Sequence, residues 1–60
     1  MRDPKRIDPI LRAVAEAWKR NPDLRLGQLI GNCTITQDAY YLEDDKLAAK
    51  LHELYGAIAE

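Results

Sequence analysis

The stretch Asn21-Pro22-Asp23-Leu24-Arg25-Leu26-Gly27-Gln28-Leu29-Ile30 decides the fold of this chain. Its first residues are typical of a loop, because Asn-Pro ends helices and Asp favours turns. After the loop, apolar residues recur with the spacing of one helical face. They are Leu26, Leu29, Ile30 and Cys33. A short amphipathic helix is therefore predicted from about residue 25 to residue 32.

A longer helix is predicted before this stretch. Asp8 is a good N-cap, and Pro9 suits the first helical position because its missing N–H needs no partner there. Lys19 and Arg20 suit the last turn, where positive charge meets the negative end of the helix dipole. The pattern predicts a helix over residues 9–20. Residues 1–7 are then expected to form an N-terminal arm, either extended or as a single turn.

A third helix is predicted after it. Glu43, Asp44 and Asp45 are acidic residues of the kind that stabilise a helix N-terminus. Apolar residues then recur with helical spacing as far as residue 58. This predicts a helix over residues 44–58, in which Gly56 ends or frays the last turn.

The segment between the second and third helices, residues 33–42, fits neither helical nor strand periodicity. We expect an ordered loop that places Ile35 and one tyrosine on the core, with a short strand pair as the weaker alternative. The fold class is therefore all-α, a single three-helix domain over residues 1–60. Its expected core, with Trp18 as the largest side chain, contains Leu11, Val14, Trp18, Leu26, Leu29, Ile30, Leu47, Leu51 and Leu54.

Length and composition exclude several classes of protein. Sixty residues make one domain near the lower limit for independent folding, and 47% hydrophobic with 32% charged residues is the composition of a folded chain. No apolar run approaches the roughly 20 residues that cross a bilayer, and no secretory signal is recognisable. We expect a cytoplasmic protein that does not bind membranes. Without a phosphate-binding glycine loop or another cofactor motif, we expect no cofactor and no enzymatic activity.

Two groups of residues have a chemical alternative to a structural role. One cysteine and one histidine are too few for a zinc site, but the spacing of Cys33 and His52 leaves a nucleophilic pair open. Cys33 falls on the apolar stripe of the second helix, which favours a buried thiol. An acidic cluster either holds a divalent cation or supplies helix N-terminal charge, and the second is favoured because the spacing of a calcium-binding loop is absent. The cluster is Asp38, Glu43, Asp44 and Asp45.

Charge is unevenly distributed along the chain. Residues 1–25 contain seven Lys/Arg and four Asp/Glu, a net of +3, whereas residues 26–60 contain two and six, a net of −4. The halves attract each other, either within one chain or between two antiparallel copies. The basic face of the first helix also offers an alternative function, a small nucleic-acid-associated regulator. Against it, the third helix opens with three acids that would face phosphate. The basic residues are Arg2, Lys5, Arg6, Arg12, Lys19 and Arg20.

The chain has more apolar residues than three short helices can cover. We count nineteen sizeable apolar side chains, so some are expected to form a surface patch that a closed two-fold homodimer buries. Two glycines four residues apart in the second helix either admit another backbone closely or have a local reason, which is crowding against the first helix or, for Gly31, a position near the C-terminal end of the helix. The expected partner-binding residues are Gly27, Gly31, Tyr40, Tyr41, Leu54, Tyr55 and Ile58.

Three segments of the chain resemble a group of small uncharacterised proteins of bacteria and their phages. They are Arg6-Ile7-Asp8-Pro9, residues 18–32 (WKRNPDLRLGQLIGN) and Tyr40-Tyr41-Leu42-Glu43-Asp44-Asp45. The resemblance covers most of residues 1–51 but carries no established activity, so it implies no catalytic residue. Phage genomes use such small cytosolic proteins, often as homo-oligomers, to block host defence systems. The expected function is therefore a non-catalytic protein-interaction module that acts as a homodimer, and a phage-encoded inhibitor that binds a host defence protein is one concrete version of it.

Overall fold

The computed structural model of the chain describes residues 2–56, and this part is helical with no strand. It contains three α-helices: α1 (Ile7–Arg20), α2 (Leu26–Cys33) and α3 (Asp44–Tyr55). Single 3-10 turns precede α1 at Pro4–Arg6 and α3 at Ala39–Tyr41. The prediction of an all-α, three-helix fold is confirmed.

The start of α1 differs from the prediction, because the sequence contains two Asp-Pro pairs and the first one begins the helical segment. The Asp3 carboxylate accepts a hydrogen bond from the Lys5 N–H at 2.9 Å, and Pro4 occupies the first position of the 3-10 turn. α1 continues directly from this turn at Ile7, so Asp8 is not its N-cap. Pro9 is tolerated because it lies in the first turn, where backbone N–H groups have no partner within the helix. Of the two alternatives for the N-terminal arm, the single turn is the one that forms.

The stretch that follows α1 behaves as its residues predict. The Asn21 side chain donates to the Ala17 carbonyl at 3.1 Å and ends α1, and the Leu24 N–H donates to the Asn21 carbonyl at 3.1 Å to close a turn. Arg25 is extended, and its N–H donates to the Gln28 side chain at 2.8 Å, so one donor at the start of α2 is satisfied.

α1 and α3 run parallel and make the main helix–helix contact. At their N-terminal ends, Arg2 pairs with Glu43 at 3.1 Å and Arg6 pairs with Asp44. At their C-terminal ends, Arg20 donates to the Tyr55 carbonyl at 3.3 Å. The attraction between the basic and acidic halves of the sequence therefore acts at least partly within one chain. These ion pairs are exposed, so each contributes at most about 1 kcal/mol.

The parallel arrangement explains the long connection between α2 and α3. α2 ends beside the C-terminal half of α3, where the Asn32 amide donates to the Tyr55 hydroxyl at 3.0 Å. The chain must then travel back along α3 before that helix begins at Asp44. Residues 34–43 make this return, and Thr36 and Gln37 share a cavity with Lys46 and Lys50 of α3.

The core is smaller than expected and is centred on small residues of α1. Its buried members among residues 2–56 are Ala13, Ala17, Leu29, Cys33 and Leu51, with Val14, Leu24, Leu47 and Tyr55 packed against them. Leu29 and Leu51 were predicted correctly. Four other predicted core residues are wrong, because they are partly exposed. They are Leu11 (59%), Trp18 (37%), Leu26 (43%) and Leu54 (47%).

The reason for the error on α1 is that its apolar residues cover more than half of the helix circumference. At 3.6 residues per turn, the direction of Ala13 and Ala17 lies roughly 120° from that of Ile7, Leu11 and Trp18. Alanines facing inward let α3 approach closely, and this rotation turns the three bulky residues toward the outer edge of the contact.

α3 ends at Tyr55, three residues earlier than the predicted residue 58, because Gly56 terminates it. Gly56 has a left-handed backbone (φ 69°), and its N–H donates to the His52 carbonyl at 2.8 Å. This is the usual glycine cap, which residues with a Cβ adopt at a cost. The sequence-based suggestion that Gly56 ends the last turn is confirmed.

We expect Leu51→Ala to cost about 2–5 kcal/mol of unfolding free energy, because Leu51 is fully buried and the truncation leaves a cavity. A domain of this size has about 3–5 kcal/mol in total, so the variant should be largely unfolded. Urea unfolding followed by circular dichroism measures this. Leu54→Ala, the same change on the half-exposed side of α3, is the matched control and should cost less than about 1 kcal/mol. Equal losses for the two variants would contradict this core.

Two matched glycine substitutions test the backbone. Gly56→Ala should lower stability by about 1–2 kcal/mol, because Ala disfavours the left-handed conformation and its Cβ would lie 2.7 Å from the Arg20 Nη1. Gly31→Ala should raise stability by about 0.5–1 kcal/mol, because a Cβ there meets nothing within 4 Å and Ala favours the helix. Thermal melting distinguishes the two, and a change of the same sign in both variants would rule out this account.

Candidate interaction surfaces

Six of the eight large apolar side chains that are exposed among residues 2–56 fall into two groups, and the other two, Leu26 and Leu54, belong to neither. The first, which we call the α1 strip, consists of Ile7, Leu11 and Trp18, together with the smaller Ala15 between them. The second, the tyrosine loop, consists of Ile35, Tyr40 and Tyr41. Patches of this kind commonly mark protein-binding sites in small soluble proteins, and both are built on ordered backbone.

The α1 strip ends in a shallow, open groove, one wall of which is held by a hydrogen bond. The groove has a volume of about 360 Å³ and is lined by Ala15, Trp18, Lys19 and Pro22. Trp18 forms one wall, and its indole N–H donates to the Leu24 carbonyl at 2.8 Å. Because the polar atom of the indole is satisfied within the chain, the exposed part of the ring is available for apolar contact.

The tyrosine loop is held by its own hydrogen bonds. Asp38 caps the 3-10 turn by accepting from the Tyr40 N–H at 3.0 Å, and the Gln37 side chain donates to the Tyr41 carbonyl at 3.3 Å. The two tyrosine rings meet edge to face, with centroids 4.9 Å apart. The backbone is therefore ordered although the side chains have little contact with the rest of the chain.

The prediction that Ile35 and one tyrosine pack on the core is wrong. Ile35 is 80% exposed, Tyr40 85% and Tyr41 69%. The polar residues Thr36 and Gln37, with Leu42, line the cavity against α3, and this leaves the apolar residues of the loop on the outside. Tyrosine at such exposure is typical of contact surfaces, where it is enriched.

The two glycines of α2 lie on its outer face. Gly27 and Gly31 are exposed, and a Cβ built at either position meets no atom within 4 Å. Crowding against α1 is therefore wrong as an explanation for them. Gly31 does lie in the last turn of α2, as the local explanation has it, whereas close approach of a second molecule to these glycines stays a prediction.

Two further predicted partner-binding residues, Leu54 and Tyr55, lie at the other end of α3 from the tyrosine loop. Leu54 is half-exposed, whereas Tyr55 is partly buried against the core and its hydroxyl accepts a hydrogen bond from Asn32. Ile58 lies outside the described residues. About 16 Å of helix separates the two ends of α3, at 1.5 Å per residue. Tyr40 and Tyr41 therefore do not form one continuous patch with Leu54 and Tyr55.

Cys33 is buried, and its thiol donates to the Leu29 carbonyl at 3.5 Å. Burial raises the pKa of the Cys33 thiol, and the charge of Lys50 lowers it by a smaller amount. A raised pKa keeps the thiol protonated and is the opposite of what a nucleophilic cysteine needs. His52 is exposed on α3. The geometry favours the structural interpretation of Cys33.

Each residue of the acidic cluster has a hydrogen-bonding or ionic partner within the chain. Asp38 caps the 3-10 turn, Glu43 and Asp44 pair with arginines, and the Asp45 carboxylate accepts from the Lys46 N–H at 2.9 Å. Within residues 2–56, no three Asp, Glu, His or Cys side chains come together as a potential metal site. These carboxylates fix the N-terminal ends of helical segments, as their position in the sequence suggests.

The basic residues of the N-terminal half are partly engaged with α3. Arg2 and Arg6 pair with Glu43 and Asp44, and Arg20 donates to the Tyr55 carbonyl. These contacts place negative charge beside the first two arginines and reduce the positive surface that nucleic acid would need.

Comparison of the chain with protein-family models, with curated proteins and with solved structures finds no match. None of the described helices combines the length and apolar character needed to cross a membrane. The interpretation of the two surfaces therefore depends on their own geometry.

We expect Cys33 to react slowly with iodoacetamide in the folded protein, at least about tenfold slower than in urea, because the thiol is buried and protonated. Since folding raises this pKa, the contribution of the thiol to stability is present below the ordinary thiol pKa and is lost as pH rises through the folded value. Mass spectrometry gives the labelling rates. Equal rates with and without urea would show that the thiol is accessible.

Proposed function

We propose that this chain is a non-catalytic protein-interaction module that acts as a homodimer and binds a second protein through the tyrosine loop. The observation that carries the proposal is the exposure of Ile35, Tyr40 and Tyr41 on a backbone that is already ordered. A pre-ordered loop loses little conformational entropy on binding, so its aromatic side chains contribute most of their contact energy to affinity. Tyrosine is also among the residues that most often dominate binding energy.

A second supporting feature is that the two exposed surfaces differ in form and therefore suit different partners. The α1 strip is a regular helical surface, suited to another helix, whereas the tyrosine loop projects individual aromatic side chains, suited to a pocket or a cleft. One chain therefore offers one surface for self-association and another for a partner.

The resemblance to small phage and bacterial proteins favours one version of the proposal. In this version the partner is a host protein of a bacterial defence system, and binding through the tyrosine loop blocks it. The rival proposal, a nucleic-acid-associated regulator, loses support because Arg2 and Arg6 are paired with acids.

Photo-crosslinking in bacterial cells tests the partner-binding role directly. A photoreactive phenylalanine derivative in place of Tyr40 should give a discrete crosslinked product with one host protein, identified by mass spectrometry. The same group in place of Glu16, an exposed position on α1, is the control and should give no such product. A product of equal yield from both positions, or none from position 40, would contradict the assignment of the loop.

The double variant Tyr40→Ser/Tyr41→Ser tests the energetics. Both side chains are exposed, so the melting temperature should change little. Affinity for the crosslinked partner should fall at least about tenfold, because contact tyrosines commonly contribute more than about 1 kcal/mol each. Titration calorimetry with the purified partner measures this. Unchanged affinity in the folded variant would show that the loop is not the contact surface.

A further inference from the structure

We infer that the α1 strip is the self-association surface and that it pairs with the same strip of a second copy in an antiparallel, two-fold arrangement. This inference rests on the homodimer in the proposed function and names the surface, direction and register of the contact. Three observations carry it: the spacing of the exposed apolar residues, the shape of the groove beside Trp18, and the charges that flank the strip.

The spacing of the strip is that of a helix–helix seam. Ile7, Leu11, Val14 and Trp18 follow one another at intervals of four, three and four residues, which is the a/d pattern of a coiled coil over two heptads. Val14 is turned partly toward the core, whereas Ile7 (45%), Leu11 (59%) and Trp18 (37%) keep much of their surface exposed. This spacing of apolar residues is suited to packing against a second helix.

The groove beside Trp18 has the form of a hole for one side chain of a facing helix. Three of its lining residues, Ala15, Trp18 and Lys19, stand at positions i, i+3 and i+4 of α1, and Pro22 in the turn after the helix closes the fourth side. In knobs-into-holes packing the hole for one knob is likewise formed by four residues, three of them with this spacing. The hydrogen bond from Trp18 to the Leu24 carbonyl fixes one wall of the hole before a partner arrives.

The chain's own exposed residues fit such holes in a single antiparallel register. If Ile7 of a second copy enters the groove, it lies opposite the point between residues 18 and 19. Leu11 of that copy then lies opposite the point between residues 14 and 15. The hole at that point has the same spacing and is lined by Leu11, Val14, Ala15 and Trp18. By two-fold symmetry the same contacts form twice, with the axis near residues 12 and 13.

The flanking charges are complementary only when the two helices are antiparallel. Asp8 and Lys19 lie on the same border of the strip, near opposite ends of α1, and both are exposed. In the antiparallel register Asp8 faces Lys19 of the partner subunit, and this pair also forms twice. In a parallel pair, the border that carries Asp8 and Lys19 would instead face the opposite border of the partner helix, where Ile10 and Ala17 stand, so this charge pair could not form.

Charge-reversal variants test the arrangement by sedimentation equilibrium. The wild type should dimerise at micromolar concentration, and Asp8→Lys and Lys19→Asp should each weaken the dimer at least about tenfold. The double variant Asp8→Lys/Lys19→Asp should recover wild-type affinity to within about threefold, because both pairs are restored with reversed sign. Glu16→Lys makes the same change of charge as Asp8→Lys on the far side of α1 and should leave the dimer unchanged.

Mixing the two single variants distinguishes a weakened interface from an unfolded chain. A chain with Asp8→Lys and a chain with Lys19→Asp should form a heterodimer in preference to either homodimer, which is possible only if both are folded. Circular dichroism of each variant accompanies the measurement. Two results would overturn this arrangement without contradicting the homodimer: a dimer affinity that none of these substitutions changes, or a folded double variant whose affinity stays low. A wild-type protein that stays monomeric at hundreds of micromolar would contradict both the homodimer and its antiparallel arrangement. The binding role of the tyrosine loop is tested separately, by crosslinking.

Discussion

The close parallel contact between α1 and α3 is the constraint on which the rest of the structure depends. Ala13 and Ala17 face α3 across Leu51, and all three are fully buried. Two small residues four apart allow the helix axes to approach closely, which a helix lined with leucine would not. Ion pairs at one end and the Arg20 bond to the Tyr55 carbonyl at the other hold the direction of the pair. Because α1 and α3 are parallel, the chain needs the long return segment 34–43. Because the alanines of α1 face inward, the α1 strip lies at the outer edge of the contact.

Local signals in the sequence predicted where the helices lie. They did not predict which face of α1 is buried. The Asn21 cap, the period of α2 and the glycine that ends α3 act over a few residues, so the sequence displays them directly. The choice of buried face on α1 is a tertiary question, because apolar residues surround more than half of that helix. Ranking them by size selected Leu11 and Trp18, whereas the contact selected the small residues. The tyrosine loop has no periodicity, so the sequence placed Tyr40 and Tyr41 among the partner-binding residues but gave no means of deciding which side chains of the loop, such as Ile35, face outward.

The proposed self-association would also stabilise the domain, because its core is small. Among the described residues the buried core has five members, two of them alanines, so the isolated domain has little free energy to spare. A contact that forms only between folded chains stabilises the folded state by mass action. Burying Ile7, Leu11 and Trp18 at an interface would use apolar surface that the monomer leaves in water. Stability would then depend on protein concentration, as is usual when a small domain folds in association with its copy.

The antiparallel arrangement also determines how two tyrosine loops would be displayed. Because α1 and α3 are parallel, the loop that precedes α3 lies near the N-terminal end of α1. In the proposed register, two antiparallel copies of α1 place these ends at opposite ends of the helix pair, separated along the helix axes by about 17 Å. The dimer would then display two copies of the tyrosine loop. On a target that is itself oligomeric, the pair of loops would act as a bivalent ligand, whose avidity depends on the match between this spacing and that of the target sites.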